Sequence, residues 1–531
     1  MKSKSVFRGA GICGFTLVAA LAAPPAFAQL VDKTLAPHTE PNAAVNKSLA
    51  DQVGAGRGNV NTPDSSIFII KRDPFRSIRR GRQLFQRKFQ VGQGMGPLTG
   101  DGEGDLELDG SIGAGLADSC GACHGRPRGS AGFGGDVATR PDSRDAPHLF
   151  GLGLVEMLAD EMTADLRAIR TQALQQAASS NSAVTKTLTA KGINFGTITA
   201  FPNGTLNTDN VAGVDADLRV KPFFAQGGSF SIREFAVGAF NAEMGLEAPD
   251  PDLIAAHNGG TVTTPAGLVL NGALDAIPAP PAANPNDDAD GDGVFNELDT
   301  ALVDHMEFYL LNYFKPATYQ LTNAANQGRS IFTQIGCGSC HVPELTIQHD
   351  RRVADVETVY NPAQGIFNDL FSTAAGRFTQ TNDGSGHPSL KLPTGSSFVV
   401  KNFFSDLKRH DIGPSFWERN YDGTVIKEFV TEPLWGVATT APYGHDGRSI
   451  NLTEVILRHG GEAQAARNSF AELSGTSRDK VLAFLHTLVL FPPDDTASNL
   501  DPGDPNADSF PQRGHGSIAL TVLFNNPADK E

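Results

Sequence analysis

Two five-residue strings dominate the chemistry open to this chain: Cys120-Gly121-Ala122-Cys123-His124 and Cys337-Gly338-Ser339-Cys340-His341. In each, two thiols stand about one helical turn apart and a histidine follows directly. Thiols at that spacing can each form a thioether to a haem vinyl, and the adjacent imidazole is then held under the iron as proximal ligand. Other chemistries fit less well. A thioredoxin-like redox pair does not need the trailing histidine. A four-cysteine zinc site leaves two oriented histidines unexplained. Two disulfides would suit an exported protein, yet would not require the same pattern twice. The residues therefore point to two covalently bound haem c groups. Cys120, Cys123 and His124 hold one, and Cys337, Cys340 and His341 hold the other.

The chain has five cysteines in 531 residues, and the fifth, Cys13, lies in a leader. Lys2, Lys4 and Arg8 precede an apolar run from Gly9 to Ala23, and Ala26-Phe27-Ala28 is a small-x-small cleavage site. This pattern predicts a signal peptide over residues 1–28 and a periplasmic protein. The run is shorter than the ~20 residues of a membrane span, and no later run reaches that length. Removing the leader takes away three cations and no anions, so the net charge moves from -16 to -19. Such an acidic surface excludes nucleic acid, whose phosphates require clustered Lys and Arg. With 40% hydrophobic residues, 57 Gly and 33 Pro, the chain reads as loop-rich and globular, neither coiled coil nor collagen.

The elements that must position these groups can be sketched. Residues 29–65 form an extended lead-in. Gly81-Arg82-Gln83-Leu84-Phe85 precedes the first haem motif and Gly328-Arg329-Ser330-Ile331-Phe332 the second. This weak repeat predicts a mainly α fold of two cytochrome-c-like haem domains in tandem with long irregular insertions. The N-terminal domain spans 66–285 and the C-terminal one 316–495, with a linker and helix at 286–315 and a tail at 496–531. Val91 to Gly115 reads as a Gly-rich loop. A helix is expected from an N-cap at Thr163 to about Ala178, and Gly192 to Gly213 reads as loop with short extended pieces. Asp299 to Phe314 is apolar at helical spacing and stops before Pro316. Ser477 caps a last helix in which His486 reads as a packed histidine.

A separate string, Asp288-Ala289-Asp290-Gly291-Asp292-Gly293-Val294-Phe295-Asn296-Glu297-Leu298-Asp299, fits a calcium loop. Asp288, Asp290, Asp292, Asn296 and Asp299 supply side-chain oxygens, Val294 a carbonyl, and Gly293 the turn. The last ligand is Asp where Glu is usual. An acidic turn in a linker is the plain alternative.

The segment Ala441-Pro442-Tyr443-Gly444-His445-Asp446-Gly447-Arg448, followed by Leu452 to Ile456 and His459-Gly460-Gly461-Glu462, resembles the second-haem domain of bacterial dihaem cytochrome c peroxidases and the related MauG proteins. Gly151 to Glu156, Gly238 to Gly245 and Ser405 to Asp411 extend the resemblance to the dihaem oxidoreductase, putative peroxidase, family over roughly residues 75 to 492. It implies His459 as the second ligand of the His341 haem, a bis-His pair of lower potential than His/Met. Capping of a helix C-terminus is the competing role for His459. The chain departs from the peroxidases in having no N-terminal tryptophan to relay electrons; its tryptophans are Trp417 and Trp435, and either one of them serves or the path differs. The removable distal histidine of the first haem has its nearest counterpart in His148. Glu156 and Glu161 are the candidate acid/base groups there.

The resemblance implies a peroxidase-like oxidoreductase. A small cytochrome or cupredoxin would donate electrons at the C-terminal haem, and peroxide or another small oxidant would react at the N-terminal one. A MauG-like enzyme that modifies protein, a dihaem oxygenase and a non-enzymatic dihaem electron carrier are the competing readings.

Overall fold

The computed structural model describes residues 49–87, 89, 119–124, 145–288, 293–312, 321–352, 379–382, 388–391, 397–420, 422–438 and 440–488. The leader, residues 29–48 of the lead-in, the Gly-rich stretch at 91–115, Asp290, Asp292 and the tail lie outside them.

One packing device occurs twice. The Pro74–Gln86 helix begins where Asp73 accepts the Arg76 N–H (3.2 Å) and Pro74 fills its first position. It packs on the Thr300–Leu311 helix, and a Cβ at Gly81 would stand 2.3 Å from the His305 carbonyl oxygen. The Asn323–Gln334 helix is capped by Thr322, which accepts the Ala325 N–H at 3.1 Å. It packs on the Gly475–Leu485 helix, and a Cβ at Gly328 would stand 1.8 Å from the Lys480 carbonyl oxygen. In both places only glycine lets the backbones approach so closely. The phenylalanine four residues on seals each crossing: Phe85 against Tyr309 at 5.9 Å and Phe332 against Phe484 at 5.5 Å. The repeat seen in sequence is thus a repeat of helix crossings.

The long helix differs from expectation. It runs Leu152–Ser180 and starts after Gly151, whose φ of 74° suits glycine. Thr163 lies inside it and caps nothing. Its hydroxyl donates back to the Ala159 carbonyl (2.7 Å) and accepts the Val220 N–H (3.0 Å). Residues 152–159 are buried on every side, so they show no amphipathic period to mark a helix start. Part of the stretch read as loop is an antiparallel sheet of Val184–Ala190, Ile193–Ala200 and Leu206–Asn207, bulged between Thr187 and Thr189. Small two-stranded ladders pair Glu344–Ile347 with Phe398–Lys401 and Arg409–Asp411 with Glu428–Val430. The chain is helix-rich with strand-built insertions. The last helix is capped by Ser474, not Ser477, and His486 is exposed rather than packed.

The larger apolar core joins residues of the first half to Leu345, Ile347, Val400, Phe403, Leu407 and Trp435, so the second half contributes to it directly. A smaller core gathers Phe332, Phe404, Phe470, Val481 and Phe484. Beneath the Thr300–Leu311 helix, fully buried Arg233 bonds Asp250 (2.6 Å), Asp304 (2.9 Å) and Glu307 (2.7 Å). Breaking a buried set of this kind from one side costs about 3–5 kcal/mol. It fixes the Ile232–Met244 helix against the Thr300–Leu311 helix, and both of them line the cavity described next.

Candidate haem site

Cys120, His124, Cys337, Cys340, His341 and His459 all line one continuous cavity of about 970 Å³. That volume is at the upper end for a ligand pocket, ~300–1,000 Å³. Its walls are largely aromatic and aliphatic. Phe235 meets the His124 ring at 6.2 Å, Phe332 the His341 ring at 6.1 Å, and Phe416 the His459 ring at 5.4 Å.

Three histidines turn Nδ1 to a main-chain carbonyl, and for His459 that carbonyl belongs to the Leu452–Arg458 helix, whose C-terminus His459 caps. Nδ1 of His124 lies 2.7 Å from the Pro147 carbonyl, that of His341 3.0 Å from Phe404, and that of His459 2.7 Å from Val455. A carbonyl only accepts, so each Nδ1 carries the proton and each Nε2 keeps its lone pair. Burial lowers the pKa of all three, that of His341 to about 4, so the rings are neutral ligands at ordinary pH. Cys120, Cys337 and Cys340 form no disulfide. Burial pushes the Cys337 thiol up to about 11.

The turn that carries His459 is clamped from the Arg409–Asp411 strand. Glu462 accepts from His410 Nδ1 (2.8 Å) and the Asp411 N–H (3.0 Å), and the Gly460 N–H donates to Ile412 O (2.8 Å). His410 Nε2 bonds Asp406 at 2.9 Å. Burial works against charge on His410, but Asp406 and Cys340 outweigh it and raise its pKa to about 11. Cys340, Asp406 and His410 lie close enough to grip an ion. Both His410 nitrogens, however, are already turned to carboxylates, which leaves no lone pair for a metal.

Three expected site residues sit elsewhere or are otherwise engaged. Glu156 is buried against Arg351 and the Ile232 N–H. Glu161 pairs with Lys191 and accepts the Gln348 and His349 N–H groups at 2.7 Å each. Neither lines the cavity, and Glu156 is 2% exposed. His148 does line it, but Nε2 donates to the Trp435 carbonyl (3.0 Å) and Nδ1 accepts the Phe150 N–H (3.2 Å). Both ring nitrogens are spent, so His148 as placed offers nothing to an iron. Among first-half carboxylates the cavity is lined instead by Glu243, in the last turn of the Ile232–Met244 helix, and by Asp145. Glu243 belongs to a segment that carried the family resemblance, but no spacing rule marked it as functional. Asp145 is raised to about 7, by burial and then by Asp446.

A family model described as di-haem oxidoreductase, putative peroxidase, matches residues 345–488. Over these residues the chain is similar to the di-haem oxidoreductase family. No curated protein matches. Among solved structures, a MauG-like protein associated with microbial copper homeostasis aligns at 15% identity and a TM-score of 0.22, over 65% of this chain and 90% of that one. Hydrazine synthase of Kuenenia stuttgartiensis aligns at 15% identity and a TM-score of 0.21, over 35% of this chain and 55% of that one. The alignment thus spans little more than half of that enzyme chain.

The residues around the cavity fit two haem groups on their own geometry. There are two thiol–imidazole sets, neutral nitrogen ligands facing an apolar cavity, and a third histidine brought to it. Both halves open onto that cavity, although the family match begins after the second motif.

Proposed function

We propose that the chain is an exported di-haem c oxidoreductase of the peroxidase type. Electrons from an external donor enter at the His341/His459 side, and peroxide or a similar oxidant reacts on the His124 side. The observation that carries this reading is the asymmetry of the cavity. His459 is brought to the cavity together with His341, while His148, on the His124 side, has both ring nitrogens bonded elsewhere. Haem supplies one-electron chemistry and, with an axial position left open, a place for an oxidant to bind.

The chain's own residues supply the rest. The Pro147 carbonyl fixes the His124 ring and strengthens it as a donor through Nδ1. Phe223, Phe224 and Phe235 pack ring against ring, at 5.2–5.8 Å, on that side of the cavity and exclude water. Glu243 lines the cavity, on the helix whose Phe235 meets the His124 ring, and would be the carboxyl able to hold or move a proton there. Glu243→Gln should lower turnover with peroxide by about 10²–10⁴, the usual worth of a positioned acid/base. The same change at Glu161 should leave turnover intact.

The leader, periplasmic site and covalent attachment belong to this reading. So does a calcium ion at 288–299. Asp288 accepts the Gly293 N–H at 3.1 Å, the hydrogen bond that closes such a loop, and Asp299 caps the following helix through the Ala301 N–H at 2.8 Å. Among the described residues no helix is long and apolar enough to cross a membrane. The test is spectroscopic. Electron paramagnetic resonance of the holoprotein should give one low-spin bis-His signal that His459→Ala removes, and a second haem that takes an external ligand. Two low-spin irons that bind no carbon monoxide after reduction would make the protein an electron carrier instead.

A further inference from the structure

Only one of the two tryptophans lies between the haem motifs. Trp417 donates its indole N–H to Asp411 (2.8 Å) beneath Lys427 and does not line the cavity. Trp435 is 4% exposed, lines the cavity, and packs edge-on against Phe403 at 5.0 Å. On its other side the ring meets the first half: a Cβ at Gly151 would come within 2.8 Å of two indole carbons.

The hydrogen bonds around Trp435 join end to end. His124 Nδ1 donates to the Pro147 carbonyl at 2.7 Å, and Pro147 is bonded to His148. His148 Nε2 donates to the Trp435 carbonyl at 3.0 Å. Trp435 is bonded to Leu434, whose N–H donates to the Phe403 carbonyl at 3.1 Å. Phe403 is bonded to Phe404, whose carbonyl accepts from His341 Nδ1 at 3.0 Å. Four hydrogen bonds and the covalent chain between them thus link one proximal imidazole to the other. The Phe150 N–H on His148 Nδ1 fixes the tautomer this requires, with the proton on Nε2. Nothing else in the link is a side chain; the rest is backbone, which holds its place.

We propose that His148 is the bridging residue for electron transfer between the two haems, through its hydrogen bond to the Trp435 carbonyl, with the Trp435 indole serving only as a packing wall. This rests on the reading that each Cys-x-x-Cys-His motif holds a haem. In the step, one electron leaves the iron held by His341, which is oxidised by one. It arrives at the iron held by His124, which is reduced by one. No bond is made or broken, and the protons on both Nδ1 atoms and on His148 Nε2 stay where they are.

The experiment uses holoprotein with its haem count measured first. A flavin flash reduces one haem, and the inter-haem equilibration rate is followed optically, with both midpoint potentials titrated separately. His148→Leu removes the link. The rate should fall by about tenfold or more while both potentials and the haem count hold. His148→Gln keeps a side-chain N–H and should recover part of the rate. Trp435→Phe keeps the carbonyl and should stay within about twofold of wild type. An unchanged rate in His148→Leu, or a tenfold fall in Trp435→Phe, overturns the assignment. The second variant decides the matter if the first does not fold. A wild-type haem count other than two would count against the di-haem reading itself and not against the bridge.

Discussion

At the residue scale the governing fact is where each Nδ1 points. A histidine beside two cysteines is a ligand by sequence pattern, but only the Pro147, Phe404 and Val455 carbonyls make it a neutral one with Nε2 toward the cavity. His459→Met should therefore leave haem attached and raise the midpoint potential of the His341 haem, within the ~0.8 V that axial ligands command. A redox titration in which neither haem moves would remove His459 from the ligand set. Asp145 makes a prediction about pH. Its folded pKa of about 7 lies above the ordinary carboxyl value because of burial and Asp446. Between those two values the folded state keeps a proton that the unfolded chain releases, so this residue's contribution to stability declines as pH rises through the window. Melting of Asp145→Asn at mildly acidic and mildly alkaline pH should show a smaller drop than wild type; parallel curves would contradict the assignment. The two Cys-x-x-Cys-His motifs were legible because their spacing is itself the proposed chemistry. Glu156, Glu161 and His148 were misplaced because a carboxylate or imidazole in sequence says nothing of what holds it. Arg351 and Lys191 claim the two glutamates, and the Trp435 carbonyl claims the histidine.

At the element scale the two glycine crossings organise the fold. The Gly-Arg-x-x-Phe repeat was visible in the sequence, but its partners were not, because Gly81 meets His305 and Gly328 meets Lys480 only after folding. Gly328→Ala places a methyl where a carbonyl oxygen stands. It should cost about 1–3 kcal/mol, the range for overpacking, read as a lowered midpoint in chemical unfolding. Gly475→Ala, where a Cβ meets nothing within 4 Å, is the control. Equal stability of the two variants would refute the close crossing. The long helix shows the opposite failure of reading. Its first turns are buried all round, so its amphipathic signal begins only near Thr163, where the expected start was placed. The Val184–Asn207 sheet was missed as a sheet because its first strand, although it alternates between more and less buried positions, is rich in threonine, and its third is two residues long.

At the scale of the whole molecule, one cavity serves both motifs and the larger core draws on both halves. The expected tandem arrangement is therefore bound together through the stretch from Leu345 to Trp435, and a cut between the halves should not release two folded pieces. The acidic charge bears on the proposed encounter with a donor. Reduction by a basic cytochrome should slow as salt rises, with most of the effect gone once screening falls below about 10 Å near 0.1 M. A salt-independent rate would point to a donor of another charge. The claim beneath all of this is that the two motifs each hold a covalent haem. Intact-mass measurement of protein made in a host competent for haem c maturation, paired with a pyridine haemochrome assay after acid–acetone extraction, tests it most directly. The account predicts two haems retained per chain, one after Cys120→Ala/Cys123→Ala, and one after Cys337→Ala/Cys340→Ala. Haem wholly extracted by acid acetone, or a mass showing paired disulfides at the two motifs, would contradict it.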